Sequence, residues 1–208
     1  MKIILGSSSP RRKDILGKIF ESFEIITPET DEGILEHEAP DNYARRISRG
    51  KAHAIQSALP ERDAPCLIIT SDTIVTIDGK IIGKPANFND AVGILTSLSG
   101  RTHEVISAIT LLARDGATSR ERTQTETSRI TFKPLLESDI TGYLGKIEYI
   151  DKAGAYAAQE WGEIIIESIA GSRTNVIGFP LRLFFKMCAE MNLLNRVFRH
   201  QRREESRI

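Results

Sequence analysis

The sequence predicts a mixed α/β protein, and three observations carry that prediction. Strand and helix signals alternate along the 208 residues. The middle of the chain holds two turns, Asp78-Gly79 and Asp115-Gly116, of a kind that closes β-hairpins, which argues against a purely parallel sheet. Apolar runs are short, and none approaches the ~20 residues of a membrane span.

The elements follow in order. Ile3 to Leu5 reads as a short buried strand that stops at Gly6, and the hydroxyls of Ser7, Ser8 and Ser9 come next. Ser9 is a good N-cap, and Pro10 suits the first helical position, where its missing N–H costs nothing. That helix is expected to reach about Ile19. Phe23 to Thr27 reads as a strand, and Pro28 to Asp41 as an acidic loop carrying Asp31, Glu32, Glu36 and Glu38. A helix is expected from about Asn42 to Ala58, capped by Asp41, followed by a loop from Pro60 to Pro65. Cys66 to Ile69 is an apolar strand expected to end in Thr70-Ser71-Asp72-Thr73. Ile74 to Ile77 and Ile81-Ile82 form a hairpin closed by Lys84-Pro85. Asn89 is the expected cap of a helix to about Leu98, ended by Gly100. Thr102 to Ala113 and Arg122 to Phe132 read as paired strands, and Glu137 to Leu144 as a helix. Asp151 to Gln159 is a Gly/Ala-rich loop, Glu163 to Ile169 a strand, Gly171-Ser172 a turn, and Pro180 to about Leu194 a helix. Arg196 to Ile208 is mostly charged and is expected to be a flexible tail.

Composition narrows the function. The chain is long enough for one domain or two closely joined lobes with a real core. Lys plus Arg and Asp plus Glu number 28 each, so no global field favours nucleic acid or a membrane. Cys66 and Cys188 lie far apart and outside metal-ligand spacing, as in a reduced cytoplasmic protein with two structural thiols. The N-terminus is no signal peptide, because Arg11 and Arg12 follow its short apolar stretch instead of preceding it.

The chemistry-bearing residues fall into clusters: Ser7, Ser9, Arg11 and Arg12; the acidic loop with Asp31 and Glu32; Ser71-Asp72-Thr73; Lys84-Pro85; and Lys51. Cations are disfavoured at the start of a helix, so two arginines there suggest an anion held jointly with the backbone N–H groups. An ordinary capped helix with both arginines in water fits the same residues. An Asp at a strand end could hold a divalent metal, take a proton from water, or terminate the strand by bonding its own backbone. His103, in an expected strand with no second His or Cys at ligand spacing, reads as a core or hydrogen-bonded histidine. There is no Gly-Lys-Ser/Thr phosphate loop, no Rossmann glycine triplet and no Ser-His-Asp arrangement. Basic side chains and a helix N-terminus for several negative charges, with one or two carboxylates for a metal or a base, are the equipment of phosphoanhydride chemistry.

Several motifs occur together in one order: Ser7-Ser8-Ser9-Pro10-Arg11-Arg12, Ser71-Asp72-Thr73, Lys84-Pro85, Leu98-Ser99-Gly100 with His103-Glu104-Val105, and Asn175-Val176-Ile177-Gly178-Phe179-Pro180-Leu181. In this the chain, from Leu5 to about Leu194, resembles the Maf family of nucleotide pyrophosphatases. The resemblance implies an elongated mixed sheet flanked by helices, in two lobes around a central cleft, as in inosine triphosphatases. It implies a single domain over residues 1–195, hydrolysis of a nucleoside triphosphate to monophosphate and pyrophosphate, a divalent cation (Mg²⁺ or Mn²⁺), a cytoplasmic homodimer and a house-cleaning role. Some members are linked to inhibition of septum formation. The family's proton acceptor falls on Asp72, with Glu32 and Asp72 toward the metal and Ser7, Ser9, Arg11, Arg12, Lys51 and Lys84 toward the triphosphate.

Asp151-Lys152-Ala153-Gly154-Ala155-Tyr156-Ala157-Ala158-Gln159 looks like the dTTP/UTP branch, whose pyrimidine-preference positions fall on Arg11, Thr73 and Gln159. A Gln amide donates and accepts at once, which matches the O4 and N3–H edge of uracil or thymine. The chain departs from the family pattern at Gly6, where Ala is usual, and at Trp161, where a smaller continuation is expected. A pyrophosphatase for modified or 7-methyl-GTP-type nucleotides, and a nucleotide-binding regulator of cell division, are the alternatives.

Overall fold

The computed structural model describes residues 1–60 and 65–198. Its centre is one long strand, β3 (Cys66–Ile77), apolar enough to be buried nearly end to end. On one side β3 pairs antiparallel with β5 (Thr102–Asp115) from Cys66↔Arg114 to Thr76↔Glu104. On the other side it has two short partners. Parallel β1 (Lys2–Gly6) covers Cys66 to Thr70, and antiparallel β4 (Lys80–Ile82) covers Val75 to Ile77. Between them, Ser71 to Ile74 pair with β5 alone among the described residues, which leaves a notch in the sheet edge. With β2 (Glu24–Ile25), β6 (Thr118–Phe132) and β7 (Ile166–Ala170), the order is β2-β1-β3-β5-β6-β7, with β4 beside β1 on β3.

Strand alternation divides the core. Ile4 and Ile68 face α2 (Pro40–Ala58), whose Ala52 and Ile55 cover them, while its Ala44 and Ile47 cover Ile74, Ile106 and Ala108. Ile3, Leu5, Leu67 and Ile69 face the other way. They pack with Leu16 of α1 (Pro10–Gly17) and with Phe184, Met187 and Cys188 of α7 (Leu181–Glu190). Farther along that same face, Val75, Ile77, Val105 and Phe132 pack under Leu95 and Leu98 of α3 (Phe88–Leu98) and Ile140 and Tyr143 of α4 (Glu137–Leu144). The two apolar clusters are the two lobes, and the cleft opens between them over the notch.

Several expected boundaries move, each for a physical reason. Asp72 is not at a strand end, because pairing with β5 carries the strand through the polar run. Ser9 occupies the N-cap position of α1, but its side chain makes no cap bond. α1 ends at Gly17, and α2 begins at Pro40 after Ala39, so Asp41 is not its cap. Asp41 instead bonds Arg45 and Thr125. The cap of α3 is Asn87 and not Asn89, its side chain accepting from the Asp90 N–H. β6 starts at Thr118, four residues before Arg122, drawn out by its pairing with β5. Gly162–Ile165 is a helical turn (α5) where strand was expected, and Arg173–Ile177 a short helix (α6). The chain ends its description in α8 (Leu194–Val197), whose Arg196 bonds Asp115 at 2.6 Å. The rest of the expected charged tail, residues 199–208, and residues 61–64 of the expected Pro60–Pro65 loop lie outside the described residues.

Gly6 has a local reason. A Cβ there would lie 2.5 Å from both Ile55 Cδ1 and Thr70 Cγ2, so these neighbours occupy the space an alanine methyl would need.

Candidate active site

The cleft is a cavity of about 510 Å³ whose lining includes the loop after β1, the notch of β3, the turn after β4 and residues 151–159. Every residue singled out in the sequence for phosphate, metal or base contact lines it: Ser7, Ser9, Arg11, Arg12, Glu32, Lys51, Asp72, Thr73, Lys84 and Gln159.

On the floor, Asp72 projects from the notch and meets Lys51 of α2, Nζ to Oδ1 2.9 Å. The same ammonium lies 2.7 Å from Glu32 Oε1. Lys51 and Asp72 are largely buried, while Glu32 is half-exposed at the mouth of the cleft. Tyr43, about two helical turns before Lys51 on α2, donates its hydroxyl to the Glu32 carbonyl at 2.9 Å and so fixes the acidic loop to the helix. Burial, reinforced by the charges of Asp72 and Glu32, pushes the Tyr43 phenol above its usual range, so it stays a donor.

Two carboxylates already bridged by a cation are a donor set that fits a hard divalent ion. Hard oxygen ligands suit Mg²⁺ or Mn²⁺, and Mg²⁺ commonly takes only one or two protein carboxylates, leaving the remaining positions to water and substrate phosphate. Among the described residues no group of three or more His, Cys, Asp or Glu is placed to hold a metal alone, so the substrate would have to supply ligands.

Arg12 lines the cleft and also bonds its floor. Its Nε donates to the Gly178 carbonyl at 2.9 Å, Nη1 to Ser7 Oγ at 3.0 Å and Nη2 to Thr73 Oγ1 at 3.0 Å. Ser71 and Thr73 hydroxyls also donate to the Gly178 carbonyl, at 3.3 and 3.2 Å. Desolvation lowers the Arg12 guanidinium from its usual value, and Asp72 opposes that shift. Arg12 and Thr73 thus knot three chain segments together under the cleft. Arg11 points across it, Nη1 3.4 Å from Asp151 Oδ2 of the far wall. Lys84 is exposed, with no ion-pair partner among the described residues. Ser9 contributes its N–H to Ser7 Oγ at 3.2 Å.

A family model described as Maf-like protein matches residues 2–191. This chain belongs to the Maf family. It is 37% identical over 190 residues to the dTTP/UTP pyrophosphatase of Carboxydothermus hydrogenoformans, covering 91% of this chain and 98% of that one. It is 40% identical over 180 residues to the dTTP/UTP pyrophosphatase of Methylobacillus flagellatus, covering 86% and 87%. The Clostridium perfringens dTTP/UTP pyrophosphatase is 38% identical, covering 89% and 95%. The Staphylococcus aureus Ham1 protein structure aligns over 92% of this chain and 100% of that one at 13% identity, with a TM-score of 0.48.

Some site features of this Maf chain have no signal in the residue pattern. The Gly178 carbonyl, acceptor for three side chains, is backbone. Asp151 faces Arg11 from 140 residues away, and burial of Lys152 beside it depends on the far lobe. Burial raises the Asp151 carboxyl, but the Lys152 hydrogen bond and the Arg11 charge outweigh it and hold the group below its usual range. His103 stays out of the cavity lining as expected. It is buried against Phe132, bonds the Tyr156 hydroxyl at 2.8 Å, and burial lowers its pKa to about 4. Tyr43 and Tyr156 are both buried. Trp161 also lies off the cavity, exposed with Lys146 5.0 Å over its ring.

Proposed function

We propose that this chain is a nucleoside triphosphate pyrophosphatase that hydrolyses dTTP and UTP to the monophosphate and pyrophosphate. The observation that carries the reading is the Asp72–Lys51 pair, 2.9 Å apart in the notch beneath a cleft lined by Arg11 and Lys84. A carboxylate placed beside fixed cations can take a proton from water while the cations balance the charge that builds on the leaving phosphates. The names of the relatives support the substrate.

In this reading Arg11, Lys51 and Lys84 hold the triphosphate, and Arg12 with Ser7 and Thr73 keeps the loop after β1 in place beneath it. Glu32 and Asp72 would hold Mg²⁺ or Mn²⁺, which when bound polarises the phosphoryl oxygens and neutralises charge on pyrophosphate. Asp72 orients a water and accepts its proton as the oxygen bonds to the α-phosphorus. The bond from that phosphorus to the bridging oxygen breaks, and pyrophosphate leaves. Gln159 meets the base. We also place the enzyme in the cytoplasm as a homodimer that clears nucleotide pools.

Pyrophosphate release from UTP, dTTP, CTP, GTP and 7-methyl-GTP with Mg²⁺ or Mn²⁺ tests this. Fast release from UTP and dTTP supports it. Release confined to GTP or 7-methyl-GTP would keep the chemistry and overturn the pyrimidine reading. Tight nucleotide binding without release would make the protein a nucleotide-binding regulator.

A further inference from the structure

A lone glutamine cannot by itself tell uracil from cytosine. Uracil and thymine present O4 as acceptor and N3–H as donor. Cytosine presents an N4 amino donor and an N3 acceptor at the same two positions. A side-chain amide that rotates by half a turn exchanges its oxygen and nitrogen and reads either edge equally well. Discrimination therefore requires something that fixes the amide in one of its two orientations.

The far wall holds such a device. Lys152 is 5% exposed, and its ammonium donates to the Glu148 carbonyl and to Asp151 Oδ1 at 2.9 Å. A buried cation must stay paired, so this charge is fixed in place. Glu160 lies on it, with Oε2 3.9 Å from Lys152 Nζ. The other oxygen of the same carboxylate, Oε1, accepts from Gln159 Nε2 at 3.1 Å. An ionised carboxylate only accepts, so the amide nitrogen is drawn toward Glu160 and the reversed amide would set oxygen against oxygen. Gln159 then keeps its carbonyl oxygen and one N–H for a ligand in the cavity it lines. That pattern pairs with O4 and N3–H, and it meets cytosine donor to donor and acceptor to acceptor.

We infer that Glu160, held by buried Lys152, is the positioning residue that sets Gln159 to read uracil and thymine and to reject cytosine. This rests on the pyrimidine triphosphate reading above. Glu160 is partly exposed, so replacing it leaves the core intact.

The test is kcat/KM for UTP and for CTP in the wild type, Glu160→Ala and Glu160→Gln. The wild type is expected to favour UTP. Glu160→Ala is expected to lower that UTP/CTP ratio at least about tenfold, the worth of one charge-assisted hydrogen bond. CTP turnover should hold or rise while UTP turnover falls. Glu160→Gln, whose own amide can face Gln159 either way, should lower the ratio as well. Equal losses on both nucleotides, or an unchanged ratio, overturn the inference and leave the pyrophosphatase reading standing. A wild type that treats UTP and CTP alike does the same. A wild type that releases pyrophosphate from neither overturns the reading itself, and the inference with it.

Discussion

The floor and the far wall of the cleft are built differently. The floor hangs Asp72 and Thr73 on the most deeply paired strand and Lys51 on the longest described helix, and Arg12 ties three segments together beneath them. The far wall, residues 151–160, has one turn of 3₁₀ helix and is held by a chain of ions and by the Tyr156–His103 bond. In the proposed reaction, rigid sheet would carry the groups that meet the reacting phosphorus, and the loop would carry Gln159 toward the base. That is the division expected where scaffold positions chemistry and loops tune specificity.

The contrast can be broken most severely at Asp72. Asp72→Asn keeps the shape and removes the proton acceptor, so turnover should fall about 10²–10⁴-fold while nucleotide affinity changes little. Steady-state rates beside equilibrium binding check this, and full turnover in the variant would take Asp72 out of the base role. Arg12→Ala removes the one guanidinium that joins Ser7 Oγ, Thr73 Oγ1 and the Gly178 carbonyl, leaving the carbonyl only the Ser71 and Thr73 hydroxyls and Ser7 only the Ser9 N–H. Urea unfolding should show a loss of about 3–4 kcal/mol. A loss below about 1 kcal/mol would mean that the knot does not hold the floor.

The far wall should instead be the acid-sensitive half. His103 is neutral, and burial holds its folded pKa at about 4, below the usual histidine value of 6.5. Well above the usual value neither state is charged and the group costs nothing. As pH falls through the window from 6.5 to about 4, the unfolded chain binds a proton that the folded chain refuses, so stability drops by roughly 3 kcal/mol. Unfolding midpoints across that range, beside His103→Gln, read the effect, and an equally steep decline in the variant would place the acid sensitivity elsewhere. The smallest expected effect is at Lys51. Lys51→Met removes one charge-assisted contact to the substrate and should lower kcat/KM about 10–100-fold. A change confined to stability would make Lys51 only a partner of Asp72 and Glu32.

Much of this architecture was readable from residues. The Asp78-Gly79 and Asp115-Gly116 turns, the Pro10 start and the alternation of apolar residues give the hairpins, α1 and the split of the core. What was not readable depended on partners distant in sequence. Thr70 to Thr73 look like a strand end, and only β5 alongside makes them its middle. Asn87 and Asn89 are equivalent cap candidates until the Asp90 N–H selects one. The site residues converge on one cavity as their types suggested. That Arg12 would be spent on Ser7, Thr73 and a backbone carbonyl, while Arg11 stays at the surface of the cleft, follows from which way α1 turns over the sheet. Gly154 shows the same limit in the far wall: its φ of 73° and the approach of Val75 Cγ2 to 2.9 Å of a would-be Cβ appear only once the lobes are packed.

The most direct measurement is UTP hydrolysis in ¹⁸O-water with mass analysis of both products. Attack by an Asp72-activated water at the α-phosphorus predicts one label in UMP and none in pyrophosphate. Label in pyrophosphate, or release of labelled orthophosphate, would place the attack at another phosphorus and contradict the role given to the notch.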